Sequence, residues 1–220
     1  MKYIDIHVHN HYKDDDVMLL LNLFPGDADK IHPAGYYSIG LHPWYVNDAI
    51  FSSDIDAIKQ AADNPNVLAI GEIGLDKKND VPYIDQLKAF EQQLEIAEKL
   101  RKPVIVHCVK AYDDILSIRK KFNQSIPWII HWFNAGGQIA ADLIKNNCYL
   151  SFGKMLFKEN SKAFSVFKNM TLNRAFFETD DTGISILQVY QKAAEVRNIS
   201  LAELEKLIKN NFNNCFGELV

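Results

Sequence analysis

Apolar residues in this chain fall into short runs, most of them separated by stretches whose apolar positions recur every three or four residues. Eight runs rich in Val, Ile, Leu and aromatic residues stand at Tyr3–Val8, Val17–Leu23, Tyr36–Leu41, Val67–Ile73, Pro103–His107, Trp128–His131, Cys148–Phe152 and Arg174–Glu178. Several are apolar at successive positions, which suits a strand covered by helices on one side and a packed interior on the other. Between them, Tyr83 to Leu100 carries Ile84, Leu87, Phe90, Leu94, Ala97 and Leu100 on one helical stripe with charge opposite. Further helices are predicted through Ala62 with Ser52-Ser53-Asp54 as its cap, over Asp113–Phe122, Gly137–Lys145 and Ile184–Val196, and after Ser200-Leu201-Ala202-Glu203, a capping box.

Strands alternating with helices in this way predict an α/β protein built as a (β/α)8 TIM-type barrel. The first two runs lie too close together for a strand, a helix and two turns, so the barrel is expected to be distorted, with its first crossover helix missing. Nothing along residues 1–220 suggests a linker, a repeat or a charge block, and a single domain is the natural expectation.

Composition narrows the class without changing the fold. The chain has 220 residues, 48% hydrophobic and 24% charged, enough to bury a full core. Its apolar runs are strand-length, far from the ~20 consecutive apolar residues of a membrane span. Met1-Lys2-Tyr3-Ile4-Asp5-Ile6-His7 places acidic and imidazole groups where a signal peptide keeps its apolar segment, so a cytoplasmic protein is expected. The three cysteines, Cys108, Cys148 and Cys215, are scattered and form no CxxC pair, which suits buried small residues. A net charge of −4 excludes the broad positive footprint of non-specific DNA binders, so a nucleic-acid substrate would have to be held locally.

The chemistry sits where the runs end. Asp5-Ile6-His7-Val8-His9 puts His7 and His9 on one face of a strand, roughly 7 Å apart along the chain, within reach of one metal ion. Ala69-Ile70-Gly71-Glu72 places a carboxylate at the end of an apolar run, where it needs a metal or an ion-pair partner, and both readings stay open for Glu72. His107 and His131 each close a wholly apolar run, and Glu178 and Asp180 follow the last one at two-residue spacing. Catalytic groups of a barrel gather at the C-terminal ends of its strands. Six donors, His7, His9, Glu72, His107, His131 and Asp180, exceed the needs of one tetrahedral ion. They suit two ions about 3.5–4 Å apart that share Glu72.

In order along nearly the whole chain, Asp5-x-His7-x-His9, Gly40-Leu41-His42-Pro43, Gly71-Glu72-Ile73-Gly74-Leu75-Asp76, Pro103-Val104-Ile105-Val106-His107, His131-x-Phe133, Ser151-Phe152-Gly153 and Glu178-Thr179-Asp180 resemble the TatD-type deoxyribonuclease family, within the amidohydrolase-like metal-dependent hydrolases. The resemblance implies a TIM-type barrel that hydrolyses phosphodiester bonds, often as a DNA exonuclease. It implies one metal on His7, His9, Glu72 and Asp180, and a second on Glu72, His107 and His131. Three stretches depart from the family pattern. Cys108-Val109-Lys110 stands where the family has Ser-Arg and an acidic residue, Asp181-Thr182-Gly183 replaces Ser-Pro, and His11 to Gly35 is shortened.

On this reading two divalent cations, Mg²⁺, Mn²⁺, Zn²⁺ or Ni²⁺, activate a water whose hydroxide attacks phosphorus, with Glu72 and Asp180 as catalytic carboxylates and Asp180 taking the proton. DNA or another phosphodiester is the expected partner, with no membrane and no oligomeric state indicated. His42, Lys110 and Lys154 are candidate substrate contacts, against the alternatives of a turn histidine set by Pro43 and of ordinary surface lysines. Trp44, Trp132 and Phe133 are candidates for stacking on a base or for packing the rim, whereas His11 and His32 carry no assigned role. Two other functions fit the same donors: hydrolysis of a small ester, lactone or amide, and a non-catalytic barrel that keeps its metals.

Overall fold

Each apolar run becomes a strand, because it is too short to bury a helical stripe and its apolar positions are consecutive. In this computed structural model, which describes residues 2–218 and so leaves Met1 of the N-terminal motif outside, the strands are β1 (Tyr3–Val8), β2 (Val17–Leu23), β3 (Tyr36–Ile39), β4 (Val67–Asp76), β5 (Val104–Val109), β6 (Trp128–Ile130), β7 (Cys148–Phe152) and β8 (Ala175–Phe177). They follow one another as β1-β2-β3-β4-β5-β6-β7-β8, and β1–β2, β3–β4, β4–β5, β5–β6 and β7–β8 pair in parallel. This sequential parallel order is the (β/α)8 class that the alternation predicts.

The helices are α1 (Phe51–Ala62), α2 (Tyr83–Leu100), α3 (Tyr112–Arg119), α4 (Gly137–Lys145), α5 (Lys162–Asn169), α6 (Ile186–Arg197) and α7 (Leu201–Phe216). Residues 9–16, between β1 and β2, hold no helix, as their length requires. That link is tied down instead by the Lys2 and Tyr3 amides, which donate to the Asp16 carbonyl at 2.7 and 3.0 Å. Two expectations are corrected and one helix is added. Helix α1 begins before Ser52, with Ile50 at its cap and the Ser53 hydroxyl donating to the Ile50 carbonyl at 2.7 Å. Burying Phe51 on the same stripe as Ile55 and Ile58 outweighs a serine cap worth about 1 kcal/mol. Helix α3 stops at Arg119, whose guanidinium donates to the carbonyls of Asn123, Gln124 and Ile126 and so holds the chain in a turn. Helix α5 has no counterpart in the sequence reading; Ser161 caps it, accepting from the Phe164 amide at 3.0 Å.

The described residues fold as two compact units, 2–21 with 131–218, and Asn22–Ile130. In the first, Phe152, Phe167, Phe177 and Tyr190 pack edge to face at 4.8–5.7 Å between ring centroids. The Tyr190 hydroxyl accepts from the Ile4 amide at 3.1 Å, which anchors α6 on β1. In the second, Phe90 of α2 meets Trp128 of β6 at 5.6 Å, and the buried Arg119 lies over the Trp128 ring at 4.9 Å. Among the described residues no helix is long and apolar enough to cross a membrane.

Candidate metal centre

In the unit made of the chain's two ends, β1 presents His7 and His9 with ring centroids 4.9 Å apart, as the two-residue period requires. Just past β8 the chain hooks back on β1: the Asp180 amide donates to the His7 carbonyl at 3.0 Å, and Val8 and Asp180 form a parallel bridge. Asp180 reaches this position with φ of 53°, the left-handed region. Its Oδ1 lies 3.2 Å from His9 Nε2 and 3.8 Å from His7 Nε2. Burial by itself would raise the Asp180 pKa, but the His9 hydrogen bond and the His131, His7 and His9 imidazoles hold it below the ordinary carboxylate value. His131 joins the group, with its ring 4.3 Å from that of His7. One donor atom from each of His7, His131 and Asp180 lies within 4.8 Å of the others.

Two buried carboxylates support this cluster. Glu178, fully buried, accepts from the Trp132 amide at 2.6 Å, and the same oxygen stands 3.2 Å from His131 Nδ1. Asp5, also fully buried, accepts from the Thr179 amide at 3.0 Å, the Thr179 hydroxyl at 2.6 Å and the Tyr12 hydroxyl at 3.0 Å. Burial pushes the Asp5 pKa up to about 7 even against those three donors. Asp5 thereby ties β1 to the segment that carries Asp180.

In the unit Asn22–Ile130, Glu72 of β4 is buried and its amide donates to Asn22 Oδ1 at 2.6 Å, an oxygen that also accepts from Ser38 at 3.1 Å. His107 Nδ1 lies 2.7 Å from Glu72 Oε1, and His42 Nε2 lies 3.4 Å from it. Donor atoms of His42, Glu72 and His107 again fall within 4.8 Å of one another. His42 caps the 3-10 turn Pro43–Tyr45, its Nδ1 accepting from the Trp44 amide at 3.2 Å. A neutral His42 bonded in that way carries its proton on Nε2 and acts there as a donor. Gln93 clamps the preceding residue, accepting from the Leu41 amide at 2.7 Å and donating to its carbonyl at 3.1 Å.

Asp76, at the end of β4, is a site residue that the sequence reading missed. Its Oδ2 accepts from the Trp44 indole at 2.7 Å and stands 3.4 Å from His107 Nε2. Burial would raise its pKa, but donors from Trp44, Lys78 and His107 hold it below the ordinary value. The signal was present, since Asp76 shares the two-residue period of Glu72. Gln86 secures it on both sides of the backbone, accepting from the Asp76 amide at 2.8 Å and donating to its carbonyl at 3.1 Å.

The donors present fit divalent metal. Imidazoles and carboxylates held ionised are ligands for Mn²⁺, Zn²⁺ or Mg²⁺, and Glu178 and Asp76 stand beside histidines as orienting carboxylates do at metal sites. Glu178 Oε2, Asn22 Nδ2 and Ser151 Oγ are buried without a hydrogen-bond partner among the described residues. Such atoms cost about 1–3 kcal/mol each, and two of them belong to residues bonded to cluster groups or their neighbours. Lys110 and Lys154 are exposed and share no hydrogen bond with the clustered groups among the described residues. Phe133 is buried against Phe152 and offers no face to a base. His11 and His32 are exposed, and burial pushes the Cys108 thiol up to about 12, which makes it an inert side chain.

The family described as "TatD related DNase" matches this chain over residues 27–217. The "Uncharacterized metal-dependent hydrolase YabD" of Bacillus subtilis is 28% identical over 197 residues, covering 82% of this chain and 77% of that protein. The "3'-5' ssDNA/RNA exonuclease TatD" of Salmonella typhimurium is 32% identical over 121 residues, covering 54% of this chain and 46% of its own length. Among solved structures, the TatD homolog YJJV of Escherichia coli matches with a TM-score of 0.82 at 21% identity, covering 99% of each chain. That last likeness is one of fold.

Proposed function

The chain belongs to the TatD-related DNase family of metal-dependent hydrolases, and from that membership together with the geometry of its two clusters we propose that it cleaves phosphodiester bonds of nucleic acid from a strand end. The observation that carries this reading is the pair of buried imidazole–carboxylate groups, His7–His131–Asp180 and His42–Glu72–His107. The name of the Salmonella relative, an exonuclease on single-stranded DNA and RNA, supports the choice of substrate.

His7, His9, His131 and Asp180 would hold one divalent ion, and Glu72 and His107 a second. Such ions supply Lewis-acid stabilisation of charge on the phosphoryl oxygens and a lowered pKa for the attacking water. Asp180, held ionised among imidazoles, is the group able to take the proton of that water. His42, its ring set by the Trp44 amide, turns Nε2 toward Glu72 Oε1 at 3.4 Å and so stands beside the second group of donors. Glu178 and Asp76 keep His131 and His107 in place through contacts of 3.2 and 3.4 Å.

The test is turnover of a single-stranded oligonucleotide against a panel of lactones and dipeptides, with Mg²⁺, Mn²⁺ or Zn²⁺. Oligonucleotide cleavage is expected, with two metals per chain by elemental analysis. Asp180→Asn is expected to lower kcat at least about 100-fold. Turnover confined to the lactone and dipeptide panel would reject the nuclease reading in favour of small-ester or amide hydrolysis.

A further inference from the structure

The 3-10 turn Pro43–Tyr45 leaves two large aromatic rings in water, Trp44 at 48% and Tyr45 at 55% exposure. They border the cluster of the Asn22–Ile130 unit directly. The Trp44 ring lies 4.9 Å from the His42 ring and 5.8 Å from the His107 ring, and the Tyr45 ring lies 5.8 Å from His42. Neither ring is loose. The Trp44 indole donates to Asp76 at 2.7 Å, which fixes the ring by its polar edge, and Tyr45 stands edge-on to Phe24 at 5.3 Å. Their outer faces leave apolar area in water that a stacked partner would cover.

Resting on the nuclease reading, we infer that Trp44 and Tyr45 form a stacking platform for an unpaired nucleobase of the strand whose phosphodiester bond is cut. Rings already ordered lose little entropy when a base settles on them. Every base has a π-face, so the platform asks for a base without asking which one. The charge of the chain points the same way: at −4 overall, attraction for the phosphates is weak, and stacking must supply a large share of the affinity. Trp44 and Tyr45 are therefore specificity-determining residues that separate a single-stranded nucleic acid from a small ester.

The experiment compares a short single strand with the same strand carrying abasic residues at its terminal positions, made in both polarities. Cleavage of each is followed with the metal-loaded protein. Binding is measured separately by fluorescence anisotropy with phosphorothioate versions that resist cleavage. The wild-type chain is expected to bind the base-bearing strand about ten-fold more tightly. Tyr45→Leu and Trp44→Leu are expected to bring that ratio close to one, and for Tyr45→Leu, which leaves the Trp44–Asp76 bond in place, the change is expected in KM rather than kcat. Trp44→Phe, which keeps a ring but loses the Asp76 bond, is expected to retain most of the ratio. Equal binding of the two strands by the wild type overturns the inference, as do leucine variants that weaken both strands alike. If neither strand is cut, the nuclease reading falls, and the binding ratio still decides whether the rings receive a base.

Discussion

Glu178 has no exposed surface, and one of its oxygens accepts from the Trp132 amide while facing His131 at 3.2 Å. A buried carboxylate is costly unless it is bonded, and orienting His131 as a proposed metal ligand would give it a use. Glu178→Gln keeps the volume and the Trp132 bond but removes the charge beside His131. Its metal affinity is expected to fall about 10–100-fold, measured by competition with a fluorescent chelator; unchanged affinity would reduce Glu178 to a packing role. The strand-end histidines and Glu72 were legible in the sequence because each interrupts or closes an apolar run. Asp76 shares the face of Glu72 by period, but its role shows only in its bond from Trp44, 32 residues away in the chain. In the sequence His42 reads only as a candidate contact, and its bond from the Trp44 amide is what selects its donor tautomer.

Strand β4 owes its close approach to β5 to Gly74, where φ is +152° and a Cβ would stand 2.0 Å from the His107 carbonyl oxygen. Gly74→Ala is expected to destabilise the fold by about 2–4 kcal/mol, from backbone strain together with overpacking, read as a shift of the urea midpoint. A second prediction concerns Asp114 in the first turn of α3, which pairs with Lys77 just past β4 and accepts from the hydroxyl of Tyr83, the first residue of α2, at 2.8 Å. The Lys77 hydrogen bond holds the Asp114 pKa below its ordinary value. A depressed folded pKa stabilises above the unfolded value of about 3.9 and is lost as pH falls through the folded one. The group is partly exposed, so solvent screens it, and Asp114→Asn is expected to cost less than about 1 kcal/mol at pH 7 and nothing near pH 2. Urea melts at both pH values check this. Strand identities and long helices followed from periodicity, whereas α5, the true start of α1 and the end of α3 did not. Short helices are placed by caps and by what they bury, as at Ser161 and Phe51.

For the whole molecule, bound metal is expected to act on stability through mass action. Stripping with a chelator is predicted to lower the melting temperature by about 5–10 °C for a chain of this size held at a hundred times the dissociation constant. Differential scanning calorimetry with and without added Mn²⁺ or Zn²⁺ checks it, and identical melting curves would argue against the donor clusters as metal sites. The sequence alone determined the parallel α/β class, the missing first crossover helix and the family. Those follow from local period, from loop length and from motifs that repeat in order, none of which needs a contact between distant residues. Only the tertiary structure decided which atoms meet: His131 with His7 and Asp180, His42 with Glu72 and His107, and Trp44 with Asp76. Those meetings depend on backbone turns such as the positive φ at Trp132 and Asp180, which no hydrophobic period specifies.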